Sequence, residues 1–141
     1  MAFAGMNLFA ILAAGIAGFV IGGVWYSLLS RPWLAAQDMT PESVRSRPKA
    51  GPAWLPFAIA LVADLAMAWM MAGILGHLGP GQVTVRNGII SAGFIWFGFI
   101  LTTTATNYAF QSRKPMLTVI DAGHWLVALV VMGAVIGAFG A

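Results

Sequence analysis

Polar and charged residues are gathered into short segments between four long apolar stretches, at residues 6–29, 54–78, 88–110 and 117–139. Each stretch, taken as an α-helix rising 1.5 Å per residue, is long enough to cross a hydrocarbon layer of ~30 Å. The pattern therefore predicts an all-α polytopic membrane bundle of four transmembrane helices, forming a single domain over residues 1–141. No Lys or Arg precedes the first stretch, so it lacks the basic region of a cleaved signal peptide and is expected to be retained. The one long connection, residues 30–53, contains Thr40-Pro41-Glu42-Ser43: a capping hydroxyl, a proline suited to the first helical position and an early acid. A short surface helix to about Arg47 is expected there, with Trp33, Leu34 and Trp54 as anchors at headgroup level.

Composition agrees with that class. With 60% hydrophobic and 8% charged residues and a mean hydropathy of +0.89, the chain is unlike soluble domains, about a quarter of whose residues are charged. The loops are too short to fold separately, so any function belongs in the membrane or at its surface. The absence of cysteine excludes disulfides, thiolate metal sites and cysteine nucleophiles. The net charge of +3 comes from loop residues suited to anionic lipid, and no nucleic-acid partner is implied. Arg31, Arg45, Arg47, Lys49, Arg113 and Lys114 fall in the first and third loops, against Arg86 alone in the second. Six against one places both basic loops in the cytoplasm and both termini outside it. The same imbalance argues against insertion in two orientations.

Small residues recur at helical spacing: Ala14, Gly18 and Gly22 in the first span, Gly133 and Gly137 in the fourth, and Ala60, Ala63, Ala68, Ala72 and Gly76 in the second. Such faces let backbones approach closely and predict a compact bundle. A faint repeat aligns Ala17-Gly18-Phe19 and Gly23 with Ala92-Gly93-Phe94 and Gly98. It also aligns Ser30-Arg31 with Ser112-Arg113, and Val62-Ala63-Asp64 with Val119-Ile120-Asp121. On this reading the halves are two similar helical hairpins related by an axis along the membrane normal. No proline interrupts a span interior, so the broken-helix ion sites of many transporters are not signalled.

Ionisable residues inside hydrocarbon carry the functional information, because a charge there costs at least ~2.5–3.5 kcal/mol and must face protein, water or a partner. Asp64 lies ten residues after Trp54, ~15 Å along the helix and near the midplane. Asp121 and His124, three residues apart, share a face of the fourth helix and are placed to pair. At similar depth the third span offers Thr103, Thr106 and Asn107, and the first ends with Trp25, Tyr26 and Ser27. Together they predict a polar pocket open toward the cytoplasm, for proton or ion handling or for binding a small polar group. The structural alternative is that Asp64 is interhelical glue and that Asp121 and His124 cap a helix start. His77 reads as interfacial, and Trp69, Trp96 and Trp125 as lipid or core contacts. There is no phosphate-binding glycine loop, zinc-ligand spacing or serine in a nucleophile turn, so neither a cofactor nor a metal is expected.

The run Gly22-Gly23-Val24-Trp25-Tyr26-Ser27, followed by Pro32-Trp33, is the first part of a wider pattern. It continues with Trp96-Phe97-Gly98-Phe99, Asn107, Phe110, Arg113, Asp121-Ala122-Gly123-His124-Trp125-Leu126 and Val131 to Gly137. Over nearly its whole length the chain resembles the small bacterial membrane family catalogued as domain of unknown function 1761. Gln111 departs from the resemblance where an acidic residue before the Arg is expected. The resemblance implies a four-helix protein of the bacterial inner membrane and brings no established activity. Three functions are open: an oligomeric channel, carrier or small-molecule-binding protein using Asp64, Asp121, His124 and Asn107; an accessory or scaffolding subunit packed by its glycine faces into a larger membrane complex; or an intramembrane enzyme such as an isomerase. The partners expected are the lipid bilayer and either further copies of the chain or that larger complex.

Overall fold

The computed structural model describes residues 6–140, and among these the chain is helical, with no strand. Helix α1 spans Leu8–Leu28, α2 Ser30–Ala35, α3 Pro41–Ser46, α4 Leu55–His77, α5 Val85–Ile95, α6 Thr102–Phe110 and α7 Pro115–Phe139. A π-helical stretch, Trp96–Leu101, joins α5 to α6 without a break, so these form one long element. Four helical elements, α1, α4, the α5–α6 unit and α7, are long and apolar enough to cross a membrane.

Local chemistry sets the boundaries. Asn7 caps α1 by accepting the Ala10 N–H, and Thr40 caps α3 through reciprocal bonds with Ser43. Pro41, Pro56 and Pro115 lie in first turns, where no intrahelical N–H is needed. The third span begins at Val85, three residues before the apolar pattern suggests, because the Thr84 hydroxyl accepts the Asn87 N–H and carries polar Arg86 and Asn87 into the first turn. The turn before it uses Gly79 and Gly81 at φ +109° and +72°, a region that L side chains rarely adopt.

Helix α7 is the centre of the bundle, packed against α1 on one side and α5 on the other, while α4 leans on α1 and touches both α5 and α7. Small residues permit this. A Cβ added at Gly133 would run into the Gly88 backbone, and one at Gly137 into the backbone of Thr84 and Val85. Gly15 and Gly18 admit Leu65, Met132 and Asp64 in the same way on α1. Gly76, by contrast, is exposed, and Gly93, which the repeat aligns with Gly18, has open space at its Cβ position.

The two halves of the bundle differ. Toward the end where α1 begins and α7 finishes, Ile11, Ala14, Met71, Leu75, Ala92, Leu129, Met132 and Ile136 form a continuous apolar core. The other end carries both basic loops, which meet directly: Lys114 Nζ donates to Asp38 Oδ1 at 2.5 Å and to the Ala35 carbonyl at 3.2 Å.

Candidate functional site

The polar half of the bundle is organised around the first two turns of α7. Asp121 lies six residues in from Pro115, ~9 Å along the helix, and His124 ~14 Å in. Three side chains from three other elements donate to the Asp121 carboxyl: Tyr26 Oη from α1 at 2.7 Å and Trp33 Nε1 from α2 at 3.1 Å, both to Oδ1, and Tyr108 Oη from α6 at 2.5 Å to Oδ2. Two indoles brace the same stretch of backbone, Trp25 Nε1 donating to the Ile120 carbonyl at 3.0 Å and Trp96 Nε1 to the Ala122 carbonyl at 2.6 Å. Trp25 also lies across Gly123, where a side chain would strike its ring. The short α2 after the Leu29 break folds Trp33 back over this cluster.

Behind the cluster are two buried polar groups that the cluster does not satisfy. His124 is 5% exposed and neither ring nitrogen has a hydrogen-bond partner; Asp64 is 3% exposed and its Oδ1 has none. Both face the glycine stripe of α1. A Cβ at Gly22 would stand 3.1 Å from His124 Nε2, and one at Gly18 would stand 3.0 Å from Asp64 Oδ1. Those glycines are one turn apart, so the imidazole and the carboxyl meet α1 at heights that differ by ~6 Å. A side chain at Gly18 would strike Met132, and one at Gly22 would crowd the imidazole. Leaving a buried polar atom unpaired costs ~1–3 kcal/mol, and two such atoms, Asp64 Oδ1 and His124 Nε2, face one helix surface.

The structure thus brings Asp64, Asp121, His124, Trp25 and Tyr26 to one side of the α1–α7 contact, with Gly18 and Gly22 supplying the space. Gly133 and Gly137 serve a separate contact, with α5. Asp121 and His124 do not pair with each other, since Asp121 is taken by Tyr26, Trp33 and Tyr108. Tyr26 lies 5.1 Å from the His124 ring, between the two. Thr103 and Asn107 are not in the site: both are exposed, and Thr103 Oγ1 turns back to the Phe99 carbonyl.

The π stretch explains that exchange. Counted from Trp96 on an unbroken α-helix, Thr103 and Asn107 each fall within ~20° of the α7-facing side and Tyr108 falls ~120° away. One extra residue accommodated by the π stretch rotates everything after it by about one residue position, ~100°. Tyr108 then comes onto α7 while Thr103 and Asn107 leave it. Tyr108, and the donor roles of Trp33 and Trp96, are what the sequence reading missed. Trp96 packs against the core, one of the two expected placements, and in addition donates a hydrogen bond in the site, whereas Trp69 is largely exposed and His77 bonds back to the Gly73 carbonyl.

Among the described residues no cluster of His, Cys, Asp and Glu is suited to hold a metal ion. Residues 9–137, nearly the whole chain, match the family model described as Protein of unknown function (DUF1761). No curated protein and no solved structure matches the chain.

Proposed function

The chain belongs to that family, and from the geometry of its polar half we propose that it is a carrier-type or small-molecule-binding protein of the bacterial inner membrane, taking up a proton or small polar group from the cytoplasmic side. The observation that carries this reading is the pair of buried, unpartnered groups, Asp64 and His124, set against Gly18 and Gly22. Interhelical glue requires bonds, and Asp64 Oδ1 and both His124 nitrogens make none. Ionisable groups within membrane helices tend to mark proton or substrate paths, and histidine is the side chain best suited to exchanging protons near neutrality.

Polarity is graded along the bundle: the Asp121 cluster at the basic end, His124 and Asp64 behind it, and an apolar core beyond. The positive-inside rule puts the basic end in the cytoplasm. One bundle therefore offers a site entered from one side and closed on the other, which favours a binding or carrier cycle over an open pore. Transport across the remaining half would call for movement of α1 against α7 or for a path between copies of the chain.

The test is proton flux into liposomes containing the purified protein, driven by a potassium diffusion potential and followed by a trapped pH dye. Wild type is expected to acidify the lumen faster than empty liposomes, with the excess abolished by Asp64→Asn and by His124→Ala. Equal rates for wild type and Asp64→Asn, with both variants inserted and helical, would remove the proton-handling reading.

A further inference from the structure

Outside the bundle interior, the basic end holds a groove of about 630 Å³ between the end of α1, the helices α2 and α3, and the start of α4. That volume falls within the range of small-ligand pockets. Its lining is almost wholly apolar, built from Leu34, Val44, Pro41, Pro56 and Phe57, together with Ser30 and one cation, Arg45. No carboxylate lines it, and among the described residues the single ion pair, Lys114–Asp38, leaves Arg45 unpaired. The groove opens where the transmembrane helices α1 and α4 meet their loop, the depth at which hydrocarbon gives way to headgroups.

We propose that this groove binds an anionic phospholipid of the surrounding leaflet, with its phosphate at Arg45 and Ser30 and an acyl chain along Leu34, Val44 and Phe57. Charge and polarity select this occupant: an apolar lining that includes one unpaired guanidinium matches a molecule with an apolar chain and a phosphate, and Arg lays its methylene stem on apolar surface while its head stays at the interface. Tyr26 and Trp33 extend the inference, because both line the groove and both donate to Asp121. A lipid seated in the groove packs on two of the three side chains that hold the α7 carboxyl, so lipid occupancy and the geometry of the Asp121 cluster are coupled.

Native mass spectrometry of the protein released from nanodiscs containing equal phosphatidylglycerol and phosphatidylcholine provides the test. Wild type is expected to retain the anionic lipid preferentially. Arg45→Gln should lower that retention at least about fivefold, the weight of one basic residue at an anionic surface, and by clearly more than Arg47→Gln or Arg86→Gln, which do not line the groove. In a second measurement, brominated phosphatidylglycerol should quench indole fluorescence more than brominated phosphatidylcholine, and Trp33→Phe should remove the difference. Retention by Arg45→Gln equal to wild type, or equal retention of the two lipids by wild type, would overturn the proposal, as would a quenching difference that survives Trp33→Phe.

Discussion

Asp121 joins α1, α2 and α6 to α7 through three donors on a single carboxyl, and that convergence separates it from Asp64, a second aspartate that is more deeply buried yet has an oxygen without a partner. The difference can be measured. Hydrogen bonds between membrane helices contribute ~0.6–1.7 kcal/mol each, so Tyr26→Phe and Tyr108→Phe should each lower stability by about that much in denaturant titrations of the detergent-solubilised protein. Asp64→Asn, which removes no interhelical bond to Oδ1, should leave stability unchanged or raise it. A loss of stability in Asp64→Asn matching that of Tyr108→Phe would restore the glue reading. The glycines admit a similar contrast. Gly133→Ala drives a methyl into the Gly88 backbone, which cannot give way without separating α5 from α7, whereas Gly22→Ala meets only the movable His124 ring at 3.1 Å. Gly133→Ala should cost several-fold more in the same titration. At this scale the sequence marks which residues are out of place in hydrocarbon, and Asp64, Asp121 and His124 are readable for that reason. It does not reveal their partners, because the Trp33 and Tyr26 bonds to Asp121 span 88 and 95 residues and follow only from the packing.

Among the elements, the four apolar segments and the short α3 are legible from apolar length and capping chemistry, and the early start of α5 is explained by the Thr84 cap. The π stretch is not legible in this way. Trp96–Leu101 is apolar throughout, contains no proline, and changes neither length nor hydropathy; it changes only phase, and phase decides which side of α6 meets α7. That is why Thr103 and Asn107 look suited to the pocket while Tyr108 occupies it. Gly98 lies inside the stretch with open space around it, so deleting it should let the segment close into a regular α-helix and turn α6 back by ~100°. Tyr108 would then leave Asp121. A double-mutant cycle between Tyr108→Phe and Asp121→Asn should show coupling in the full-length chain and none in the Gly98 deletion. Persistent coupling after the deletion would mean that the π stretch does not set the register.

For the molecule as a whole, the proposed uptake from the basic end predicts that reagents reach the site from one face only. The chain contains no cysteine, so a single introduced thiol reports accessibility without interference. His124→Cys lies behind the Asp121 cluster, and Leu75→Cys lies in the apolar core at a position with no exposed surface. If water or a small solute enters past Tyr26 and Asp121, a membrane-impermeant cationic thiol reagent should modify His124→Cys in inverted vesicles, where the cytoplasmic face is outward, and should fail to modify it in intact spheroplasts. Leu75→Cys should stay unmodified in both. The comparison also bears on orientation, because it assigns the basic loops to the face from which labelling occurs. Labelling of His124→Cys from the opposite face alone would reverse the topology, and labelling of Leu75→Cys would show that the apolar core is open to water. With the core closed, Tyr26→Phe becomes the informative companion: it removes one of the three donors on Asp121, and a faster modification of His124→Cys in that background would identify the Tyr26–Asp121 contact as the barrier a solute crosses to reach the buried imidazole.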